Sequence, residues 1–153
     1  MKPDAARAPD PSAAGARIVH PSSFLAFDYG VRRVGVASGN SLTRSAQPLR
    51  TIDADGKERF AALGAVIADW QPSALVVGVP FHPDGAEHAN TLRARRFARQ
   101  LQGRFNLPVH EVDERYSTTE ALADGRGDVD AASAAIILEQ FLRVLPDPAE
   151  HVE

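Results

Sequence analysis

Cysteine is absent from this chain of 153 residues. Its absence excludes disulfide bonds, zinc sites built on thiolates and catalysis by a cysteine nucleophile, and it is consistent with a reducing cytosol. Long apolar runs are also lacking, so no segment has the length and hydrophobicity that crossing a bilayer requires. We therefore expect a cytoplasmic protein that has no membrane partner.

The N-terminal residues lack the apolar h-region of a signal peptide. Residues 1–22 are instead rich in Ala, Pro, Asp and Ser, which predicts a disordered leader. Residues 146–153 predict a flexible C-terminal tail. The remaining residues, 23–145, suffice for one domain with its own core and are too few for two comfortable domains.

An excess of positive charge is missing, since the formal net charge is −3. This balance argues against general affinity for nucleic acid, which usually comes with a basic domain. The distribution of charge along the chain matters more than the net charge, because several arginines lie on one predicted helix, residues 90–102. Such arginines could form a solvated helix face or hold backbone phosphates. On the second interpretation, we expect Arg93 and Arg96 to contact the substrate.

Apolar periodicity predicts the secondary structure. The predicted strands are residues 24–28, 34–38, 47–52, 74–79 and 109–113, and the predicted helices are residues 57–70, 90–102 and 129–144, with a short helix starting near Ser117. Trp70, at the end of the first helix, is expected in the core. Three strands followed by alternating helices and strands predict an α/β fold, in which a five-stranded mixed sheet carries helices on both faces.

Three acidic residues stand where a soluble domain usually avoids charge. Asp28 ends the first apolar strand, Glu114 ends the fifth, and Asp130 opens the last helix on its apolar side. Each has an ordinary explanation as well: a turn after a strand, a surface ion pair with Arg33 or Arg115, or a favourable charge at a helix N-terminus. Their combination is more informative, because strand ends and helix starts meet at the edge of an α/β sheet where ligands bind.

Carboxylates gathered in one place raise each other's pKa, and a hard cation such as Mg²⁺ removes that penalty. Two such ions, roughly 3.5–4 Å apart, can activate water and stabilise the leaving oxygen in phosphodiester hydrolysis. We expect Asp28 to bridge the ions, with Glu114 and Asp130 on either side. Asp113 and Asp128 are weaker candidates for a fourth acid. Strand alternation turns the side chain of Asp113 to the other face of the sheet.

Arginines near these acids in the sequence are candidates for contact with the scissile phosphate. Arg115 is preferred for stabilising the charge that develops there, and Arg33 is a further substrate-binding candidate. A salt bridge to one of the acids is an equal alternative for Arg115, and a surface pair with Glu114 is an alternative for Arg33. Gly35 and Gly78 are expected to permit a tight turn or a close backbone approach.

Four segments together resemble the YqgF family, also called RuvX, of the RNase H-like superfamily. They are residues 27–30 with 33–37, residues 77–80 with 84–85, residues 113–115 with 117–119, and residues 130–135 with 137–138. Each segment alone is a weak signal, but the four in this order form a specific set that covers nearly all of the predicted domain.

The resemblance implies an RNase H-like fold and a nuclease dependent on Mg²⁺ or Mn²⁺, with its acids at Asp28, Glu114 and Asp130. The family is proposed to process the 5′ end of precursor 16S rRNA in bacteria, which makes precursor rRNA and the ribosome the expected partners. It is also similar to Holliday-junction resolvases, which act on branched DNA.

Two other classes of function stay open at this level. One is an RNA-binding ribosome-assembly factor without catalysis, which fits the modest net charge and the lack of a strong fourth acid. The other is a nucleotide-binding ATPase of the actin and hexokinase type, which also begins with a strand, Asp-x-Gly and a hairpin. Because that type encloses ATP between two such domains, a chain with room for one is a poor match.

Overall fold

The computed structural model describes residues 22–87, 89–114 and 129–146. The strands are β1 (Ser23–Tyr29), β2 (Val34–Asn40), β3 (Ala46–Ile52), β4 (Ala74–Val79) and β5 (Val109–Asp113), and the helices are α1 (Gly56–Trp70), α2 (Ala89–Phe105) and α3 (Val129–Arg143). The predicted leader, tail and short helix after Ser117 lie outside the described residues, apart from a few residues at their edges.

A single five-stranded sheet organises these elements in the order β3-β2-β1-β4-β5. The first three strands pair antiparallel, while β1, β4 and β5 run parallel to one another. In this register Asp28 lies opposite Gly35, and Phe27 lies opposite Val77 on the other side of β1. The mixed sheet predicted from the sequence is therefore confirmed, and β1 is its central strand.

Two apolar cores cover the two faces of the sheet, and alternation along β1 divides its side chains between them. Leu25 and Phe27 pack with residues of α1 and α2, such as Leu63 and Phe97. Phe24 and Ala26 face the opposite way and pack against α3. By the same alternation, Asp28 belongs to the α3 face and Tyr29 to the face of α1 and α2.

Burial explains why each strand has its composition. All six residues of β4 are buried, because helices cover both faces of this interior strand. The edge strand β3 has exposed residues along most of its length and carries Pro48, which an edge position tolerates. None of the helices within the described ranges is long and apolar enough to cross a membrane.

Most element boundaries move by only a few residues from the prediction, but the expected burial of Trp70 is wrong. Its side chain is 47% exposed. It lies one turn after the buried Val66, where α1 ends at the left-handed Gln71, and it lines a surface groove with Ser38 and Gly39. Helical spacing places Trp70 on the apolar stripe of α1, but the contact of this stripe with the core ends before Trp70.

Candidate active site

The contact between α3 and β2 brings Asp130 to the end of β1. A Cβ atom on Gly35 would lie only 1.8 Å from the backbone oxygen of Asp130, so the first turn of α3 rests directly on the backbone of β2. Gly35 is also the register partner of Asp28. A glycine is needed here because any side chain would push the helix off the sheet. The close approach predicted for Gly35 is confirmed.

Glu114 reaches the same area from β5, on the other side of β1. Its backbone N–H donates to the carbonyl oxygen of Val79 at 3.0 Å, which extends the pairing of β4 with β5 by one residue. A Cβ atom on Gly78 would lie 2.5 Å from Glu114 Oε2 and 2.5 Å from the side chain of Ile137. The carboxylate of Glu114 therefore lies over the backbone of β4, in the space that Gly78 leaves open.

Electrostatic interactions link the three acids. Burial and the charge of Asp130 together raise the pKa of Asp28 from 3.8 to about 7, and burial is the larger cause. Burial, with smaller contributions from the charges of Asp28 and Asp113, raises the pKa of Glu114 from 4.5 to about 8. Asp130 thus acts on Asp28, and Asp28 acts on Glu114, so the three carboxylates form a row at the end of the central strand.

Arg33 provides the positive charge at the rim of this row. Its Nε donates to Asp130 Oδ2 at 2.9 Å, and the two side chains are 58% and 32% exposed. The structure thus pairs Arg33 with Asp130, whereas the sequence suggested Glu114 as its acidic partner. Because the pair is largely solvated, it contributes little to stability, roughly 0–1 kcal/mol. The guanidinium and the carboxylate of Asp130 are both accessible to solvent.

Divalent cations suit the chemistry of these donors, because Mg²⁺ and Mn²⁺ prefer carboxylate oxygens and would relieve the repulsion that raises both pKa values. In the parts of the chain that the structure describes, no three acidic or histidine side chains are already arranged as a metal cage. Arg33 holds one oxygen of Asp130, so a cation shared by all three acids would have to displace it or use the other oxygen.

The structure does not place every residue predicted from the sequence in this row. Asp113 is exposed, and its charge acts on Glu114. Arg93 and Arg96 lie on α2, which packs on the opposite face of the sheet. Arg115 and Asp128 lie outside the described residues. Their expected roles therefore stay predictions.

Sequence reasoning missed one residue that stands out in the structure. Arg59 of α1 is only 5% exposed and makes hydrogen bonds to the carbonyl oxygens of Ala54 and Val31. The available signal was its spacing, since Arg59 lies four residues before the buried Leu63 on the apolar stripe of α1. An arginine in a first helical turn is easily assigned to solvent, and its partners become visible only in three dimensions.

Comparison with known proteins shows the family of this chain. Residues 22–144 match the family described as "RuvX: Holliday junction resolvase". A relative from Polaromonas sp. is 66% identical over 124 residues, which cover 81% of this chain and 90% of the relative. A relative from Paraburkholderia phytofirmans is 57% identical over 136 residues, covering 84% and 93%. Both carry the name "Putative pre-16S rRNA nuclease".

Among solved structures, Thermus thermophilus RuvC in complex with a Holliday junction substrate is similar to this chain with a TM-score of 0.50. The two sequences are 17% identical, and the similarity covers 80% of this chain and 94% of RuvC. A second T. thermophilus RuvC structure gives the same TM-score at 16% identity. At this level of identity the likeness shows a shared RNase H-like fold, as the sequence predicted.

Proposed function

The chain belongs to the RuvX family of nucleases, and on that premise we propose that it hydrolyses phosphodiester bonds at Asp28, Glu114 and Asp130 with the help of divalent cations. The observation that carries this proposal is the convergence of α3 and β5 on the end of β1. Gly35 admits the backbone of Asp130, and Gly78 makes room for the carboxylate of Glu114. Each glycine leaves room for an acidic residue at a place where packing alone would favour an apolar side chain.

Each acid has a distinct position relative to the substrate. Asp28 is central and is held by the pairing of β1 with strands on both sides, so it is suited to be shared between two cations. Glu114 and Asp130 would flank it from opposite sides. Cations bound there would supply an activated water and would stabilise the oxygen that leaves. The half-buried setting of Asp28 limits competing water and strengthens electrostatic interactions at the reacting phosphate.

Arg33 would hold the substrate from the solvent side. Its guanidinium already binds one carboxylate oxygen of Asp130, and a phosphate oxygen offers the same geometry and charge. If a substrate phosphate replaced Asp130 as the partner of Arg33, Asp130 would become available to a cation. Arg115, which follows Glu114 directly, is the second candidate for this contact.

Precursor 16S rRNA is the substrate we favour, with cleavage in the maturation of its 5′ end on the ribosome in the cytoplasm. The support is the name shared by relatives that are 57% and 66% identical to this chain. Branched DNA is the second candidate, because the matching family is described as a Holliday junction resolvase. The RuvC likeness does not choose between them, since it extends only to the fold.

A cleavage assay in Mn²⁺ separates these substrates and tests the acids together. Precursor rRNA, an unstructured single strand and a four-way DNA junction would be offered to the wild-type protein and to Asp28→Asn. We expect cleavage of precursor rRNA by the wild type and a loss of at least about a hundredfold in the variant. Asp69→Asn is a matched control, because Asp69 is an exposed acid on α1.

Circular dichroism would show that both variants keep the fold. Cleavage by folded Asp28→Asn at the wild-type rate would contradict the assignment of Asp28. Cleavage of the junction alone would transfer the proposal to the DNA substrate, and intact nucleic acid in every reaction would favour a non-catalytic binding factor.

A further inference from the structure

A cavity of about 530 Å³ opens between α1 and α2, on the face of the sheet opposite the acids. Its wall includes Tyr29 at the end of β1, Gly56 and Arg59 at the start of α1, and Arg93 and Arg96 on α2. The volume lies within the range of pockets that take small molecules, roughly 300–1,000 Å³. The RNase H-like site does not use this cavity, so its composition needs a separate explanation.

The buried guanidinium of Arg59 is the first sign of a ligand. Its Nε donates to Ala54 at 2.8 Å and its Nη2 donates to Val31 at 3.0 Å, while its Cζ lies 5.5 Å from the centre of the Tyr29 ring. No carboxylate among the described residues forms an ion pair with it. A buried cation without a counter-charge is costly, and an anion in the cavity would offset that cost.

The arginines of α2 point to the same conclusion. Arg95 is already paired with Glu87 at 2.9 Å and Glu111 at 3.4 Å, so its charge is compensated. Arg96, one position further on, lines the cavity and makes no hydrogen bond or ion pair with any described residue. Arg93 lines it too, and among the described residues it donates only to the neutral side chain of Asn90.

The start of α1 adds backbone donors to this basic wall. The N-cap residue, Asp55, makes no side-chain hydrogen bond to the helix, so its carboxylate leaves the first N–H groups of α1 uncapped. These groups favour an anion. Of the wall residues that belong to the described ranges, Asp55 is the one acid and three are arginines. The wall therefore keeps a net positive charge.

Aromatic rings complete the wall and indicate more than a bare phosphate. The Tyr29 ring lies 5.0 Å from that of Phe97, and Phe60 lies 6.1 Å from Phe97 on the other side. Phosphate-binding arginines beside aromatic rings are the combination that single-stranded nucleic acid uses, with phosphates on the cations and bases against the rings. Free phosphate would contact the arginines and leave the half-buried faces of Tyr29 and Phe60 unused.

We infer that this cavity is a subsite for one phosphorylated nucleotide unit of a single strand. The inference rests on the proposed nuclease function, because Tyr29 directly follows Asp28. The Cα atoms of the two residues are about 3.8 Å apart, and their side chains point to opposite faces of the sheet. A strand that passes around the end of β1 would reach the cavity within a few nucleotides of the bond to be cleaved.

Fluorescence anisotropy with a labelled single-stranded RNA of about ten nucleotides tests the subsite in EDTA, where metal-dependent cleavage is blocked. The test variant is Arg93→Gln/Arg96→Gln, in which both changed side chains are exposed, so the fold should be kept. We expect binding to weaken about tenfold or more. The slope of log K against log salt should fall by about 0.7, because one phosphate contact on a single strand contributes roughly that amount.

Arg99→Gln is the matched control, because Arg99 is an exposed arginine on the same helix that does not line the cavity. Equal weakening by Arg99→Gln would show a general effect of charge and would overturn the subsite. Wild-type affinity and salt slope in the double variant would overturn it as well, while leaving the nuclease proposal intact. A wild-type protein that neither binds nor cleaves any strand would end both proposals.

A competition experiment distinguishes a nucleotide within a strand from a free mononucleotide or free phosphate as the occupant of the cavity. Nucleoside monophosphate and inorganic phosphate would be added to the preformed RNA complex of the wild type. We expect the mononucleotide to displace RNA only at millimolar concentration, because a strand gains affinity from neighbouring contacts. Displacement at micromolar concentration, with no loss of affinity in the double variant, would show that the mononucleotide binds elsewhere and would contradict the inference.

Discussion

Asp28 shows how a single residue can reduce stability in a way that serves a site. It follows four apolar, buried residues of β1, 24–27, and burial together with the charge of Asp130 raises its pKa to about 7. Below that pH the folded protein keeps a proton that the unfolded chain releases near pH 4. The folded state therefore loses stability as pH rises through this window. Natural active sites commonly carry such a cost.

Replacement of Asp28 by Asn should remove this loss. In the absence of divalent cations, we expect Asp28→Asn to be more stable than the wild type by about 2 kcal/mol at pH 8, with the difference shrinking towards pH 4.5. Urea unfolding of both proteins at the two pH values measures it. Asp69→Asn, the exposed control, should show no such trend. Equal stability of the wild type and Asp28→Asn at pH 8 would contradict the raised pKa.

Helix α3 is the element on which the site depends. Its first turn lies against the backbone of β2 at Gly35, and its apolar stripe, including Ile137 and Leu138, packs on the sheet. The position of Asp130 is thus determined by the packing of a whole helix. The contact between Arg33 and Asp130 joins residues 97 positions apart, so it also depends on this packing.

A methyl group at Gly35 should disturb this packing. The added Cβ would clash with the backbone of Asp130, which cannot rotate away as a side chain could. We expect Gly35→Ala to lower the free energy of unfolding by about 2–4 kcal/mol and to reduce cleavage as well, because Asp130 must shift.

Gly103→Ala is the control for that substitution. It lies within α2, where an added Cβ meets no atom within 4 Å, so alanine should stabilise the helix by about 0.5–1 kcal/mol. Urea unfolding of both variants makes the comparison. If Gly35→Ala proved as stable as the wild type, α3 could not rest on β2 as closely as described.

The whole molecule shows how far the sequence leads. Local periodicity predicts every described strand and helix within a few residues, because apolar spacing follows directly from burial. Motifs in order predict the family, which comparison confirms, while the role of the three acids stays a prediction. Contacts between distant segments are harder to predict. The pairing of Arg33 with Asp130 and the partners of Arg59 depend on how helices pack against the sheet, and no local pattern encodes that.

At this scale we propose different roles for the two faces of the sheet. Carboxylates on the α3 side would hold cations, and arginines on the side of α1 and α2 would hold phosphates. The formal net charge of −3 does not show this division, because it sums the charges of both faces.

Binding of Mn²⁺, followed by electron paramagnetic resonance during a titration, tests the central claim most directly. The account predicts that the wild type binds Mn²⁺ and that Asp28→Asn, Glu114→Gln and Asp130→Asn each weaken binding at least about tenfold, because each removes a charged oxygen ligand. Asp69→Asn should bind as the wild type does. Unchanged Mn²⁺ binding in a folded protein that carries all three substitutions would contradict the account.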